Sequence, residues 1–148
     1  MQESHGTYEL AVRRPRRGRV GGWTRWIWVV GFVEGAVVHA WYLLQSGVHA
    51  YRGEPLVVQV FFQVLLVLDP LVAVLVLRRV PAGAWLGAAV MLGDVTANWW
   101  VCWDDLLRHP AAYLRPYGLS AITVFGLFVL ATAVPLHRAF ARPAALPA

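Results

Sequence analysis

Residues 84–103 read AWLGAAVMLGDVTANWWVCW, and the reading of that stretch decides the fold. As a helix rising 1.5 Å per residue it would span about 30 Å, the thickness of a bilayer's hydrocarbon core. Yet Asp94 and Asn98 stand near its middle, four residues apart. A carboxylate at the centre of a membrane helix costs about 2.5–3.5 kcal/mol on insertion scales. A crossing helix that carries one must turn it toward other helices or toward a cavity.

The rest of the chain supports a crossing. Charged residues make up 14% of the 148 and apolar ones 59%, whereas a soluble domain carries about 25% charged residues. Three further apolar runs, 23–45, 56–77 and 117–137, are long enough to span. The breaks between the four carry turn chemistry: SGVHAYRGEP, RRVPAG and DDLLRHPAAYLRP. Pro55 and Pro116 stand at helix starts, where a missing N–H does no harm. The first run is too long for a signal-peptide core and is read as retained. The expected fold is all-α: a four-helix transmembrane bundle over 21–140, a mobile basic tail over 1–20 and a mobile tail over 141–148.

All thirteen basic side chains are Arg. Six fall within 13–25, just before an apolar run, which suits an anionic membrane surface rather than nucleic acid. Ten lie on one side of the expected membrane and three, Arg52, Arg108 and Arg115, on the other. The positive-inside rule therefore places both termini in the cytoplasm. Trp23, Trp26 and Trp85 then mark the inner interface, and Trp41, Trp99, Trp100, Trp103 and Tyr117 the outer one. The Arg-only, Ala- and Val-rich composition fits a GC-rich bacterial genome and hence a bacterial inner membrane. Cys102 is the single cysteine, so an internal disulfide is excluded.

Glu34, Asp69 and Asp94 fall near the middle of their helices, with His39, Gln63 and Asn98 about one turn nearer the outer face and Gln59 beyond. Polar groups at this depth need partners and should face inward. Asp94 and Asn98 share a helix face, as do Gln59 and Gln63; Glu34 and His39, five apart, point in different directions. The amides would serve equally well as interhelical hydrogen-bond glue. Asp69 precedes Pro70 and would serve the carbonyls that the proline frees. Asp94 is the strongest functional candidate. GFVEG (31–35) and GAWLG (83–87) bring small residues to one helix face, which permits tight packing and would also suit a second copy of the chain. No phosphate-cradling loop, HExxH, paired CxxC or nucleophile elbow is present, and no metal or cofactor is expected.

LDPLVAVLVLRR (68–79) and LGDVTANWWVCWDD (92–105) resemble motifs of the EXPERA proteins, the emopamil-binding and sigma-2-receptor group. The first is similar to that family's small-residue–Pro–Leu run ending in a basic residue. The second is similar to its Gly-Asp-Val segment followed by aromatics and an acidic exit. The resemblance implies a bundle of four or five membrane helices that binds sterols or similar amphiphiles, some members isomerising a sterol double bond. It carries over onto Asp94 and Pro70. The chain departs elsewhere: Glu34 precedes His39 where the family has His before Glu, Gln59 and Gln63 stand where a second-helix acid is expected, and the last helix has no Asn. The resemblance thus implies a lipid pocket more than isomerase chemistry.

Three functions follow as expectations. The first is an intramembrane pocket for a sterol- or isoprenoid-like molecule, with Asp94, Glu34 and His39 as candidate acid–base groups for isomerisation or cyclisation. Asn98, Gln63, Asp69, Gln59, Trp41, Trp99 and Trp100 would then contact the ligand, the indoles through cation–π contact. The second is a small proton- or cation-coupled exporter, since a first-helix Glu resembles the small multidrug transporters. Their dual insertion needs balanced charge, which the Arg asymmetry opposes. The third is a scaffold whose polar residues only lock helices together.

Overall fold

The computed structural model describes residues 20–113 and 118–142. The tails at 1–19 and 143–148, and with them Arg115, Pro116 and Tyr117, lie outside the described residues. Five α-helices follow in chain order. They are α1 (Val20–Ser46), α2 (Leu56–Leu77), α3 (Pro81–Arg108), the single turn α4 (Pro110–Tyr113) and α5 (Leu119–Ala141). A 3-10 turn, Gly47–His49, begins the link from α1 to α2. Among the described residues the chain is helical, without a named strand.

Local chemistry sets the boundaries. Pro55 caps α2 and Pro81 opens α3, both at positions where a helix has no use for the N–H. That lengthens the third helix beyond the expected 84–103 at its start, and at its end it runs on through Asp104 and Asp105. Between α2 and α3 the chain reverses in three residues. The amide of Val80 donates to the Leu75 carbonyl and that of Arg79 to Val76, with Arg79 left-handed at φ 58°. This is the Schellman arrangement, with Arg where glycine is usual.

The helices α1, α2 and α5 are long and apolar enough to cross a membrane. At 28 residues α3 is at least as long, but Asp94, Asn98 and its tryptophans make it less apolar. Around the bundle α1 packs chiefly on α2 and α3 chiefly on α5; α2 meets α3, and α1 and α5 close the ring most sparsely.

The half of the bundle that holds the start of α1 and the end of α5 is tightly packed. Trp28, Phe32, Val72, Ala84, Val129 and Leu136 are each at most 2% exposed. The Trp28 indole donates to Thr132 Oγ1 at 2.9 Å, joining α1 to α5. Gly87 makes that packing possible, since a Cβ there would come within 2.6 Å of Trp28 and 2.9 Å of Val72. The small residues of GAWLG therefore face neighbours in the same chain. Outward, Val30, Leu44, Val57, Val67, Val124 and Leu127 are 64–84% exposed. So broad an apolar exterior suits hydrocarbon and not water.

Candidate functional site

The opposite half of the bundle holds a cavity of about 400 Å³, within the 300–1,000 Å³ range of small-molecule sites. Two stripes at helical spacing build most of its wall. On α1 they are Gly31, Gly35, Val38 and Tyr42, with Glu34 and His39 flanking; on α3 they are Met91, Asp94, Asn98 and Cys102. The first turns of α5 add Leu119, Ile122 and Phe125, and α2 contributes Asp69 alone.

Five of the ten candidate residues thus line one space: Glu34, His39, Asp69, Asp94 and Asn98. Asp94 and Asp69 are buried, 7% and 3% exposed. Asn98 Nδ2 donates both to Asp94 Oδ1 and to the Asp94 backbone carbonyl, each at 2.9 Å. The (i, i+4) pair is therefore one unit in which the amide fixes the carboxyl rotamer. Asp69 comes from the neighbouring helix, and among the described residues no group donates a hydrogen bond to it. Its expected role as partner for carbonyls freed by Pro70 is not what the geometry gives; its carboxyl is turned toward α1 at Gly35. Glu34 is exposed, although it lines the same cavity as the buried His39. Their five-residue separation places them on different parts of the wall.

His39 is held from the α1–α2 link. Its Nδ1 lies 2.9 Å from the Tyr51 hydroxyl, and its ring stacks on Phe62 at 5.7 Å between centroids. Tyr51 also packs on Phe62 at 5.0 Å. Burial, then the neighbouring Tyr42 and Asp94, push the Tyr51 phenol up to about 12, so it keeps its proton at neutral pH. With Nδ1 so engaged, Nε2 is the ring atom left for other chemistry.

The remaining candidates stand elsewhere. Gln59 Nε2 donates to the Glu54 carbonyl at 2.7 Å and Gln63 Nε2 to the Val48 carbonyl at 3.2 Å. Both glutamines tether the α1–α2 link and neither lines the cavity. Trp41 is 62% exposed. Trp99 and Trp100 border a separate shallow concavity with Trp103 and Asp104. The Trp99 indole donates to Thr123 Oγ1 at 2.9 Å, which ties α3 to α5.

Beyond the cavity, Asp105 accepts from the Tyr113 hydroxyl at 2.7 Å and lies 3.0 Å from His109 Nδ1. Those bonds, Tyr113 first, hold the exposed Asp105 carboxyl below its usual range. The Ser120 hydroxyl donates to the Tyr113 carbonyl, joining α4 to α5. Sequence reasoning did not select Tyr51, Tyr113 or Phe125. The loop around Tyr51 carries only turn residues as a signal, and Phe125 is one apolar residue in an apolar run. Among the described residues no group of three or more His, Cys, Asp or Glu side chains could hold a metal ion.

No known protein family matches this chain, and neither a curated protein nor a solved structure does.

Proposed function

We propose that the protein is a multi-pass membrane protein whose four long helices all cross the bilayer, with both termini cytoplasmic. Its cavity, in the outer half, binds a sterol- or isoprenoid-like amphiphile. For the fourth crossing, the support is where α3 turns its polar groups. Asp94 and Asn98 face the cavity, while the Thr96 hydroxyl donates back to the Leu92 carbonyl. The orientation is supported by the Arg asymmetry.

The observation that carries the ligand reading is the meeting of Glu34, Asp69, Asp94, Asn98 and His39 on one cavity with otherwise largely apolar walls. A scaffold would not need two buried carboxyls beside a cavity, since amides lock helices at lower cost. Among the described residues the lining has three carboxyls and no Arg, which favours a head that donates hydrogen bonds or carries positive charge over a phosphate. The apolar wall of Phe32, Met91, Ile122 and Phe125 takes the hydrocarbon. The likeness of 68–79 and 92–105 to EXPERA motifs points to the same ligand class.

If the site catalyses, the chemistry its groups can perform is proton transfer at carbon, as in isomerisation or cyclisation. One carboxyl, Asp94, would protonate, and His39 Nε2 or Glu34 would accept. The test is mass spectrometry of lipids retained by the purified protein. Wild type should carry a defined amphiphile in near-stoichiometric amount, and Asp94→Asn should lose it while remaining folded. A wild type that retains only bulk phospholipid would overturn the reading.

A further inference from the structure

We infer that the cavity opens sideways, between α1 and α5, with Glu34 at its mouth, so that the ligand enters from the bilayer rather than from water. This rests on the pocket reading above and adds the route.

Three observations converge on that seam. First, the exposed lining residues all belong to α1 or to the start of α5: Glu34, Val38 and Tyr42 on one side, Gly118 and Ala121 on the other. The lining residues of α2 and α3 are buried or half-buried. Second, the α1–α5 contact is the sparsest of the four that close the ring. Third, among the described residues, contacts tie the walls together at both ends of the cavity. Toward the start of α1 and the end of α5, Phe125 packs edge-on against Phe32, with ring centroids 5.7 Å apart. Toward the far end, Tyr113 is pinned to Asp105, and Ser120 is bonded to the Tyr113 carbonyl.

Glu34 then has a physical reason to be exposed at mid-helix depth. A carboxyl facing pure hydrocarbon there would cost about 2.5–3.5 kcal/mol on insertion scales. At the rim of a cavity it can be reached by water, or by the polar head of an entering amphiphile.

The experiment seals the seam. Val38→Cys and Ala121→Cys are introduced together with Cys102→Ala and bridged by a flexible bis-methanethiosulfonate. The protein is then exposed to vesicles of phosphatidylcholine containing dodecylamine that carries a diazirine. Photolabelling of cavity residues is expected in the unbridged protein, loss of labelling in the bridged one, and recovery on reduction. Equal labelling in both would overturn the lateral mouth and leave the pocket standing. Absence of cavity labelling in wild type as well would overturn the pocket reading and the route together. As a check that needs no bridge, Ala121→Trp should slow labelling roughly tenfold, about 1.4 kcal/mol of barrier, with the same plateau. An unchanged rate would count against the seam.

Discussion

Oδ2 of Asp69 lies 2.8 Å from the point that a Cβ on Gly35 would occupy. The acid of α2 reaches the cavity only because α1 has no side chain at that position. Gly35→Ala should therefore push the carboxyl aside and destabilise the bundle by about 1–3 kcal/mol, as overpacking does. Gly22→Ala, where nothing lies within 4 Å of the added carbon, should cause no such loss. Thermal unfolding in detergent compares the two. Adding Asp69→Ala to Gly35→Ala should recover much of the deficit, because the two side-chain positions are in direct contact.

The long helices were legible in the sequence, because apolar runs bounded by Pro or Gly breaks report where each begins and ends. Depth groups Glu34, Asp69 and Asp94, and all three line one cavity. Depth says nothing of azimuth. Gln59 and Gln63 precede Asp69 by ten and six residues, which at 3.6 residues per turn puts them about 80° and 120° around α2 from it. They meet the α1–α2 link instead. Trp99 and Trp100 are turned from Asp94 in the same way. Asn98, one turn on, was legible because the (i, i+4) rule does carry azimuth.

Tyr51 gives a prediction with a sign in pH. Its folded-state pKa is about 12 against an ordinary value of 10.0. The unfolded chain therefore releases the phenolic proton first. The stability this group contributes is complete below about pH 10 and declines as pH rises toward about 12. Unfolding measured at about pH 9 and about pH 11 should show that decline in wild type and a smaller one in Tyr51→Phe. At neutral pH the variant should also lose about 0.5–1.5 kcal/mol with the bond to His39. Identical pH slopes would show that Tyr51 is free in solution.

Arg79 holds a left-handed conformation at φ 58°, which costs an ordinary L-residue about 1–2 kcal/mol. Arg79→Gly should relieve it, offset in part by the greater freedom of glycine in the unfolded chain. A modest rise in melting temperature is expected. A fall would mean that the guanidinium makes contacts outside the chain that outweigh the strain.

The proposed crossing by all four long helices predicts which loops face outward. In a Cys102→Ala background, single cysteines at Gly53 and Ala111 should react with an impermeant maleimide on intact cells. One at Ala82 should react only after permeabilisation. Labelling of Ala82 from outside would reverse the orientation; labelling of Gly53 and Ala111 from opposite sides would remove α3 from the membrane.

The two kinds of amide in the bundle should separate cleanly. Asn98 acts on the cavity, since its side chain holds Asp94 Oδ1 at 2.9 Å. Gln63 acts on the fold, since its side chain holds the Val48 carbonyl of the α1–α2 link. Asn98→Leu should therefore release the Asp94 carboxyl from its rotamer and lower the retained amphiphile, as Asp94→Asn does. Gln63→Leu should lower the melting temperature by the loss of about one hydrogen bond, about 0.5–1.5 kcal/mol, and leave the amphiphile content unchanged. Lipid mass spectrometry and thermal unfolding on the same preparations read both quantities. The reverse pattern, with amphiphile lost in Gln63→Leu and kept in Asn98→Leu, would move the binding site from the Asp94 cavity to the α1–α2 link.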